Sequence, residues 1–168
     1  MKKYILSFDP SGNYKEGKGR TGWVLLDPDN VVRKHGVIAA KYFDSAVEYW
    51  DAHIDLIDEL TGFNPDIVIE DYRLYHNRAV NQINSLLETP RLIGVLTYEC
   101  YKRNLKVTLQ PASAVKSRWK DDILVKKKYI VKKGKSYYLP KEETILLEHV
   151  RDALRHAIHY RTFNKGGK

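Results

Sequence analysis

The feature that most constrains the fold is an apolar segment near the N-terminus that ends in an acid, a proline and a glycine. Residues 5–8 read Ile-Leu-Ser-Phe and predict a buried strand, and Asp9-Pro10-Ser11-Gly12 follows directly. Open α/β sheets bind ligands at the carboxyl ends of their strands. A carboxylate buried there needs a partner charge, because a lone buried anion costs several kcal/mol. We therefore expect Asp9 to be the first ligand of a metal site.

Two further strands are predicted directly after the first one. They cover residues 21–27 and 31–40, and the turn sequence Asp27-Pro28-Asp29-Asn30 separates them. Strands joined by connections this short pair antiparallel. The first three strands therefore predict an antiparallel meander.

Helices and strands alternate in the rest of the chain. A capping box of Ser45 and Glu48 begins a helix with apolar residues at three- and four-residue steps: Val47, Trp50, Ile54, Ile57 and Leu60. Strands are predicted at 66–70 and 106–109, and helices at 79–87, 91–103 and 141–160, the last with Pro140 in its first position. A strand reached through a helix normally runs parallel to its neighbour. The order predicts one α/β domain, residues 1–168, with a mixed five-stranded sheet (three antiparallel strands plus two parallel) and helices on both faces.

Length and composition indicate a globular, cytoplasmic protein. The chain has 168 residues, enough for one domain with its own core. No apolar run reaches the ~18 residues of a membrane span, and no leader pattern precedes Asp9, so we expect no membrane association. Cys100 is the only cysteine, which excludes an internal disulfide and a cysteine-based zinc site. We expect Cys100 to be a small core residue.

Positive charge is concentrated in residues 116–135. The formal net charge of the chain is +8, and this segment contains nine Lys or Arg and two Asp. Localised positive charge is typical of a surface that binds a polyanion, and the alternative is a solvated lysine-rich loop. Aromatic residues lie within or just after the segment, which therefore does not resemble a plain disordered tract: Trp119, Tyr129, Tyr137 and Tyr138.

Three acids and a histidine are predicted to converge. Asp9 and Glu70 each close a strand, and they emerge at the same edge if those strands are parallel neighbours. On the last helix, His149 and Asp152 lie beside the apolar stripe at i and i+3. Hard oxygen ligands with one nitrogen suit Mg²⁺ or Mn²⁺. Two such ions roughly 4 Å apart are the arrangement used for phosphodiester displacement.

The strand acids also have structural interpretations. Asp9 would cap the turn made with Ser11 and Gly12. Glu70 would pair with a nearby base, either Arg73 or Arg91. Asp71 is adjacent to Glu70, but consecutive strand residues face opposite ways, so only one of the two points into the site.

The helix residues have alternatives as well. Asp152 would pair with Arg151 or Arg155, and His149 would be an ordinary boundary residue, with Glu148 as the helix ligand in its place. We expect the other two histidines of this helix to lie on its surface: His156 and His159.

The sequence resembles the RuvC family of Holliday junction resolvases, within the ribonuclease H-like superfamily. The residues that carry the resemblance follow in chain order: Phe8-Asp9-Pro10-Ser11, Thr21-Gly22-Trp23, Ile69-Glu70, Pro90-Arg91-Leu92-Ile93-Gly94-Val95, Gln110-Pro111 with the basic segment after it, and His149-Val150-Arg151-Asp152-Ala153-Leu154. Their order and spacing cover nearly the whole chain. The resemblance implies a ribonuclease H-like fold.

The resemblance also implies an activity. It implies a homodimer that cuts four-way DNA junctions by paired symmetric nicks, with two Mg²⁺ ions per active site that Mn²⁺ can replace. Asp9, Glu70, His149 and Asp152 would be the catalytic, metal-binding residues. The small size and divergent loops resemble a phage-encoded member, which would place the protein in a bacterial or phage-infected cell.

Some positions depart from the family pattern. Ser11 replaces the common glycine, and Arg73 occupies the position of an aromatic wedge, with Tyr72 and Tyr75 nearby. Either tyrosine would stack on an unpaired base or pack within the protein. We expect basic residues of the charged segment to contact phosphates rather than bases. The complete set of predicted DNA-binding residues is Tyr72, Arg73, Tyr75, Lys116, Arg118, Lys120, Lys126, Lys127 and Lys128.

Other functions share parts of these patterns. A ribonuclease H-like nuclease acting on flaps, other branched DNA or RNA–DNA hybrids would use the same acids. A non-catalytic binding module gains nothing from acids that repel a polyanion. An actin-type phosphotransferase would need a second lobe, for which the chain is too short.

Overall fold

Five strands form one mixed sheet in the computed structural model of the chain, which describes residues 2–73 and 87–164. The strands are β1 (Ile5–Asp9), β2 (Arg20–Leu26), β3 (Val32–Ala39), β4 (Asp66–Asp71) and β5 (Val107–Pro111). Their spatial order is β3-β2-β1-β4-β5. β1, β2 and β3 pair antiparallel, whereas β4 is parallel to both β1 and β5. The predicted mixed sheet is confirmed.

Helices and a separate hairpin make up the other regular elements of residues 2–73 and 87–164. The helices are α1 (Ala46–Leu60), α2 (Glu88–Lys102), α3 (Ala112–Arg118), α4 (Asp121–Lys126) and α5 (Glu148–Phe163). The hairpin consists of β6 (Val131–Lys133) and β7 (Ser136–Tyr138), and 3₁₀ turns cover Ala40–Tyr42 and Thr61–Phe63. No helix in the described ranges is both long and apolar enough to cross a membrane.

The central strand β1 is buried on both faces. Leu6 and Phe8 belong to the core shared with α1 and α2, whereas Ile5 belongs to the core shared with α3, α4 and α5. Successive strand residues face opposite sides of a sheet, so both layers of helices depend on this one segment. Helices on both faces of the sheet agree with the prediction.

The last helix begins later than predicted. α5 starts at Glu148, not at residue 141, and Pro140 is not its first residue. Lys141 has a φ of 71°, a left-handed conformation that a helix does not accommodate. The amide of Leu146 instead donates to the backbone oxygen of Tyr137 at 2.7 Å, which holds the segment before α5 against the hairpin.

The apolar face of α1 differs from the predicted one. The N-cap half of the predicted capping box is present, because the amide of Glu48 donates to Oγ of Ser45 at 3.1 Å. The Glu48 carboxylate accepts from the amide of Asp44 at 3.0 Å instead of from that of Ser45. Val47 is 59% exposed, however, and the helix buries a face that includes a histidine: Tyr49, His53, Ile57 and Leu60.

Two other predicted boundaries change. β5 extends through Pro111 instead of stopping before it, which is tolerated because β5 is an edge strand. Pro90 lies in the first turn of α2, where helix amides have no intrahelical acceptor. Most of the helix predicted at 79–87 lies outside the described residues.

Candidate metal centre

Asp9 and Glu70 lie at the carboxyl ends of two parallel neighbouring strands. Phe8 and Ile69 are paired residues of the β1–β4 ladder, so each acid is the next residue along its strand. Asp152 comes from the second turn of α5, which packs across these strands. One carboxylate oxygen from each of the three acids lies within 4.8 Å of the other two. We refer to Asp9, Glu70 and Asp152 as the acid cluster.

The fourth predicted ligand contacts the acid cluster through Asp9. Nδ1 of His149 lies 2.9 Å from Oδ2 of Asp9, and this hydrogen bond raises the pKa of His149. Burial raises the pKa of Asp9 to about 6. The hydrogen bond from His149 acts to lower this pKa, whereas the charges of Glu70 and Asp152 act to raise it further. Glu148 is exposed, so the structure places His149 and not Glu148 beside the cluster.

Glu70 contacts two cationic or polar side chains. Its Oε2 lies 3.0 Å from Nε2 of His156 and 3.1 Å from Nζ of Lys116. Burial acts against ionisation of Glu70, but these two contacts outweigh it and lower the pKa to about 2. The alternative partners are wrong for Glu70, because Arg73 pairs with Asp71 at 3.6 Å and Arg91 is exposed.

His156 is fully buried, contrary to the prediction of a surface position. Its Nδ1 lies 3.0 Å from Oε1 of Gln110, and Gln110 is the ladder partner of Glu70 on β5. The imidazole therefore bridges the ends of two strands and fixes the orientation of Glu70. Burial of His156 depends on α5 packing on β4, which the spacing along α5 does not specify.

Lys116 places an ammonium group inside the acid cluster. Its Nζ lies 2.9 Å from Oδ2 of Asp152 as well as 3.1 Å from Glu70. Burial works against the charge of Lys116, but the ion pairs with Asp152 and Glu70 prevail and raise its pKa. Lys116 is half-buried and faces carboxylates, whereas we expected it to face DNA phosphates.

Asp152 also pairs with Arg155, as the structural alternative proposed. Arg155 is buried, and its Nε donates to the backbone oxygen of Trp119 at 2.8 Å. Arg155 pairs with Asp121 at the start of α4 too. These contacts hold α4 against α5 without removing Asp152 from the cluster. The ion-pair interpretation of Asp152 is therefore confirmed, and its role as a metal ligand stays a prediction.

A buried network holds the turn that follows Asp9. The amide of Ser11 donates to Oγ1 of Thr21 at 3.2 Å, and the hydroxyl of Tyr49 donates to the Ser11 carbonyl at 2.6 Å. Nε2 of His53 lies 2.8 Å from Oγ1 of Thr21. Burial lowers the pKa of His53 to about 4, so the ring is neutral at pH 7. Side chains other than Asp9 therefore satisfy this turn, and the local sequence does not indicate which side chains these are.

Gly22 sets the distance between β2 and α5. A Cβ atom at Gly22 would lie 2.2 Å from the backbone carbon and oxygen of His149. Only glycine allows the first turn of α5 to approach the sheet this closely. The Thr-Gly pair of the sequence thus serves both the Ser11 turn and the position of the helix that carries His149 and Asp152.

The acid cluster opens into a pocket of about 260 Å³. Asp9, Glu70 and His149 line it, together with Tyr72 and Thr89. Arg73 is exposed and pairs with Asp71, another residue of the pocket wall, and Tyr75 lies outside the described residues.

The remaining predicted DNA contacts lie on the surface of α3 and α4 and just after them. Each is exposed and, among residues 2–73 and 87–164, none forms an ion pair: Arg118, Lys120, Lys126, Lys127 and Lys128. The guanidinium of Arg118 lies 4.4 Å from the ring centroid of Phe163. Contact of these residues with DNA stays a prediction.

The donor set fits a hard divalent cation. Three convergent carboxylates repel one another unless cations neutralise them, which agrees with the raised pKa of Asp9 and the inserted ammonium of Lys116. Carboxylate oxygens are the ligands that Mg²⁺ and Mn²⁺ prefer. The set contains no thiolate, which is the ligand typical of structural zinc sites.

Comparison with solved structures identifies the fold. No protein-family model matches the chain, and no curated protein sequence matches it. RuvC from Thermus thermophilus, in complex with a Holliday junction substrate, superposes with a TM-score of 0.72 at 14% identity over 97% of this chain and 95% of that one. Another Thermus thermophilus RuvC structure gives a TM-score of 0.64 at 15% identity, covering 96% of this chain and 95% of the other. The chain therefore has the RuvC form of the ribonuclease H-like fold, which confirms the predicted fold class and the resemblance at the level of the fold.

Proposed function

We propose that the protein is a divalent-metal-dependent endodeoxyribonuclease that resolves four-way DNA junctions by paired symmetric nicks. The observation that carries the proposal is the acid cluster, in which one carboxylate oxygen from each of two strand-end acids and one from α5 lie within 4.8 Å of one another in a RuvC fold. Clustered acids that face a polyanion repel it when no metal is bound. With a bound metal ion they can support catalysis on the same polyanion. We propose a homodimer in the cytoplasm of a bacterial or phage-infected cell, because two symmetric nicks need two active sites.

Asp9, Glu70, His149 and Asp152 would hold the metal. Bound Mg²⁺, or Mn²⁺ in its place, would activate a water and stabilise the leaving oxygen of the phosphodiester, as two-metal sites do. His156 orients the Glu70 carboxylate, and Arg155 orients that of Asp152. Lys116 supplies a fixed positive charge between Glu70 and Asp152, and this charge helps to lower the pKa of Glu70.

The exposed basic residues would position DNA over this pocket. Lys126, Lys127 and Lys128 would contact phosphates, as would Arg118 and Lys120, and such contacts favour junction shape over base sequence. Tyr72 lines the pocket and would stack on an unpaired base near the scissile phosphate. Arg73 would contribute charge at the same rim, and Tyr75 stays a predicted contact on sequence grounds alone.

A panel of substrates tests the proposed function. An immobile four-way junction, a matched linear duplex, a flap and an RNA–DNA hybrid would be incubated with the protein, each with and without Mg²⁺. We expect paired symmetric nicks in the junction only, and only with Mg²⁺. Cleavage mainly of the flap or the hybrid would retain the acid cluster as a nuclease site and refute the junction as its substrate.

A further inference from the structure

The β6–β7 hairpin stands apart from the five-stranded sheet. Gly134 has a φ of 61° and occupies the first central position of its two-residue turn, as a type II′ turn requires. An isolated two-stranded hairpin is only marginally stable in water. This one is held at its base by Ile130 and Leu139, which are buried in the same core as α5. The hairpin is therefore a projection fixed at its base.

The base of the hairpin is attached to the helix that carries Asp152. The backbone oxygen of Tyr137 accepts from the amide of Leu146 at 2.7 Å. The guanidinium of Arg151 lies 4.7 Å from the Tyr137 ring centroid and donates to the Leu146 oxygen at 2.9 Å. Because Arg151 precedes Asp152 in α5, the hairpin has a defined position relative to the acid cluster.

The tip of the hairpin is strongly positive. Lys132, Lys133 and Lys135 are exposed, and none of them forms an ion pair within the part of the chain that the structure describes. Residues 131–138 contain no acid. The ammonium groups of Lys132 and Lys133 lie 5.8 and 5.0 Å from the ring centroids of Tyr137 and Tyr138, so each charge lies over an aromatic ring of the neighbouring strand.

We propose that this hairpin binds the phosphate backbone of a duplex DNA arm beside the acid cluster. The inference rests on the proposed function for the identity of the ligand, and it adds Lys132, Lys133 and Lys135 as an interaction surface separate from α3 and α4. A two-stranded β-ribbon has the width of the DNA major groove, and lysines at its tip reach the phosphates at the groove edges. Lysines act as point charges, so the contact is independent of base sequence.

Salt dependence of DNA binding tests the hairpin. Affinity for a linear duplex and for a four-way junction would be measured in EDTA over a series of KCl concentrations. Replacing Lys132, Lys133 and Lys135 with alanine should reduce the slope of log K against log[salt] by roughly 2–3, about 0.9 per lost phosphate contact. Replacing the same lysines with arginine keeps the charge and should keep the slope.

A net-charge control removes three exposed lysines from other parts of the fold. Lys34→Ala, Lys41→Ala and Lys102→Ala together change the net charge equally, and the triple variant should retain the wild-type slope. Two of these control lysines are ion-paired, Lys34 with Glu59 and Lys102 with Glu99. An unchanged slope in the hairpin variant, or an equal loss in the control, would overturn the proposal. If the wild type cleaves the junction with Mg²⁺ but the hairpin variant has the wild-type salt slope, the hairpin contact alone is refuted and the nuclease proposal stands. A slope change without cleavage of any substrate would support the hairpin and refute the nuclease.

Discussion

Oδ2 of Asp9 lies 2.9 Å from Nδ1 of His149, and this contact joins the first strand to the last helix of the fold. The chain has brought together two side chains 140 positions apart, at the edge where Glu70 also emerges. Because each member comes from a different element, the site exists only when β1, β4 and α5 are all in place.

Asp9→Asn should abolish cleavage and preserve DNA binding. The amide cannot supply the charge that holds a cation. We therefore expect the cleavage rate to fall by at least roughly 100-fold, the usual cost of losing one group that stabilises the transition state. Junction affinity in EDTA should be equal or higher, because a charge that repels phosphate is lost. Asp51→Asn on the exposed face of α1 is the matched control and should cut normally. If Asp9→Asn lost binding together with cleavage, a catalytic role for Asp9 would be refuted.

Gly22→Ala should destabilise the protein and displace α5. The added methyl would meet the His149 backbone at 2.2 Å, and overpacking of this kind costs about 1–3 kcal/mol. Gly94→Ala is the control, because Gly94 is an exposed residue of α2 with no atom near the new methyl. Alanine there should stabilise the protein by roughly 0.5–1 kcal/mol, since alanine favours the helix over glycine. Urea denaturation measures both. A Gly22 variant as stable as wild type would contradict the close approach of α5.

His53 should make stability depend on pH. Its pKa is about 4 in the fold against an ordinary value of 6.5, because the ring is buried. Above pH 6.5 the His53 ring is neutral in both the folded and the unfolded chain. As pH falls from 6.5 to 4, the unfolded chain takes up a proton that the folded chain excludes, so stability is lost by up to roughly 3 kcal/mol.

The variant His53→Gln isolates this contribution. The variant lacks the titrating ring, so only the wild type loses this part of its stability at low pH. The difference in free energy of unfolding between wild type and variant should therefore be roughly 2 kcal/mol smaller at pH 5 than at pH 7.5. Urea unfolding at the two pH values measures the difference, and other titrating groups cancel because both proteins contain them. A deficit that is the same at both values would show that His53 is not buried in the neutral form.

Replacing Lys126, Lys127 and Lys128 with alanine should weaken DNA binding and flatten its salt dependence. The three side chains are exposed, and each lost phosphate contact removes about 0.9 from the salt slope. Fluorescence anisotropy with a labelled junction over a KCl series measures the slope. The Lys34, Lys41 and Lys102 triple variant again controls for net charge. A slope equal to that of wild type would remove this run from the DNA interface.

The strands and the acids at their ends could be predicted because the relevant information is local. Apolar runs followed by Asp9 and Glu70 define both the strand and the edge at which its last side chain emerges. The spacing of His149 and Asp152 likewise follows from helix geometry alone. These positions are therefore recognisable before the three-dimensional arrangement is known.

The surroundings of the acid cluster could not be predicted in the same way. Burial of His53 and His156 depends on which strand each helix covers, and a histidine in an amphipathic pattern does not report this. Lys116 belongs to the same lysine-rich segment as its exposed neighbours, but its side chain points inward because α3 packs against α5. The late start of α5 depends on the pairing of Ile145 and Leu146 with the hairpin, a tertiary contact that the local sequence does not specify.

The metal dependence of junction cleavage tests the central claim most directly. A labelled four-way junction would be incubated with wild-type protein in Mg²⁺, then in excess EDTA, and then with Mg²⁺ restored, while binding and nicking are followed in the same samples. We predict that nicking stops in EDTA and resumes with Mg²⁺ while the junction stays bound throughout. Continued nicking in excess EDTA would contradict the assignment of Asp9, Glu70 and Asp152 as a metal centre.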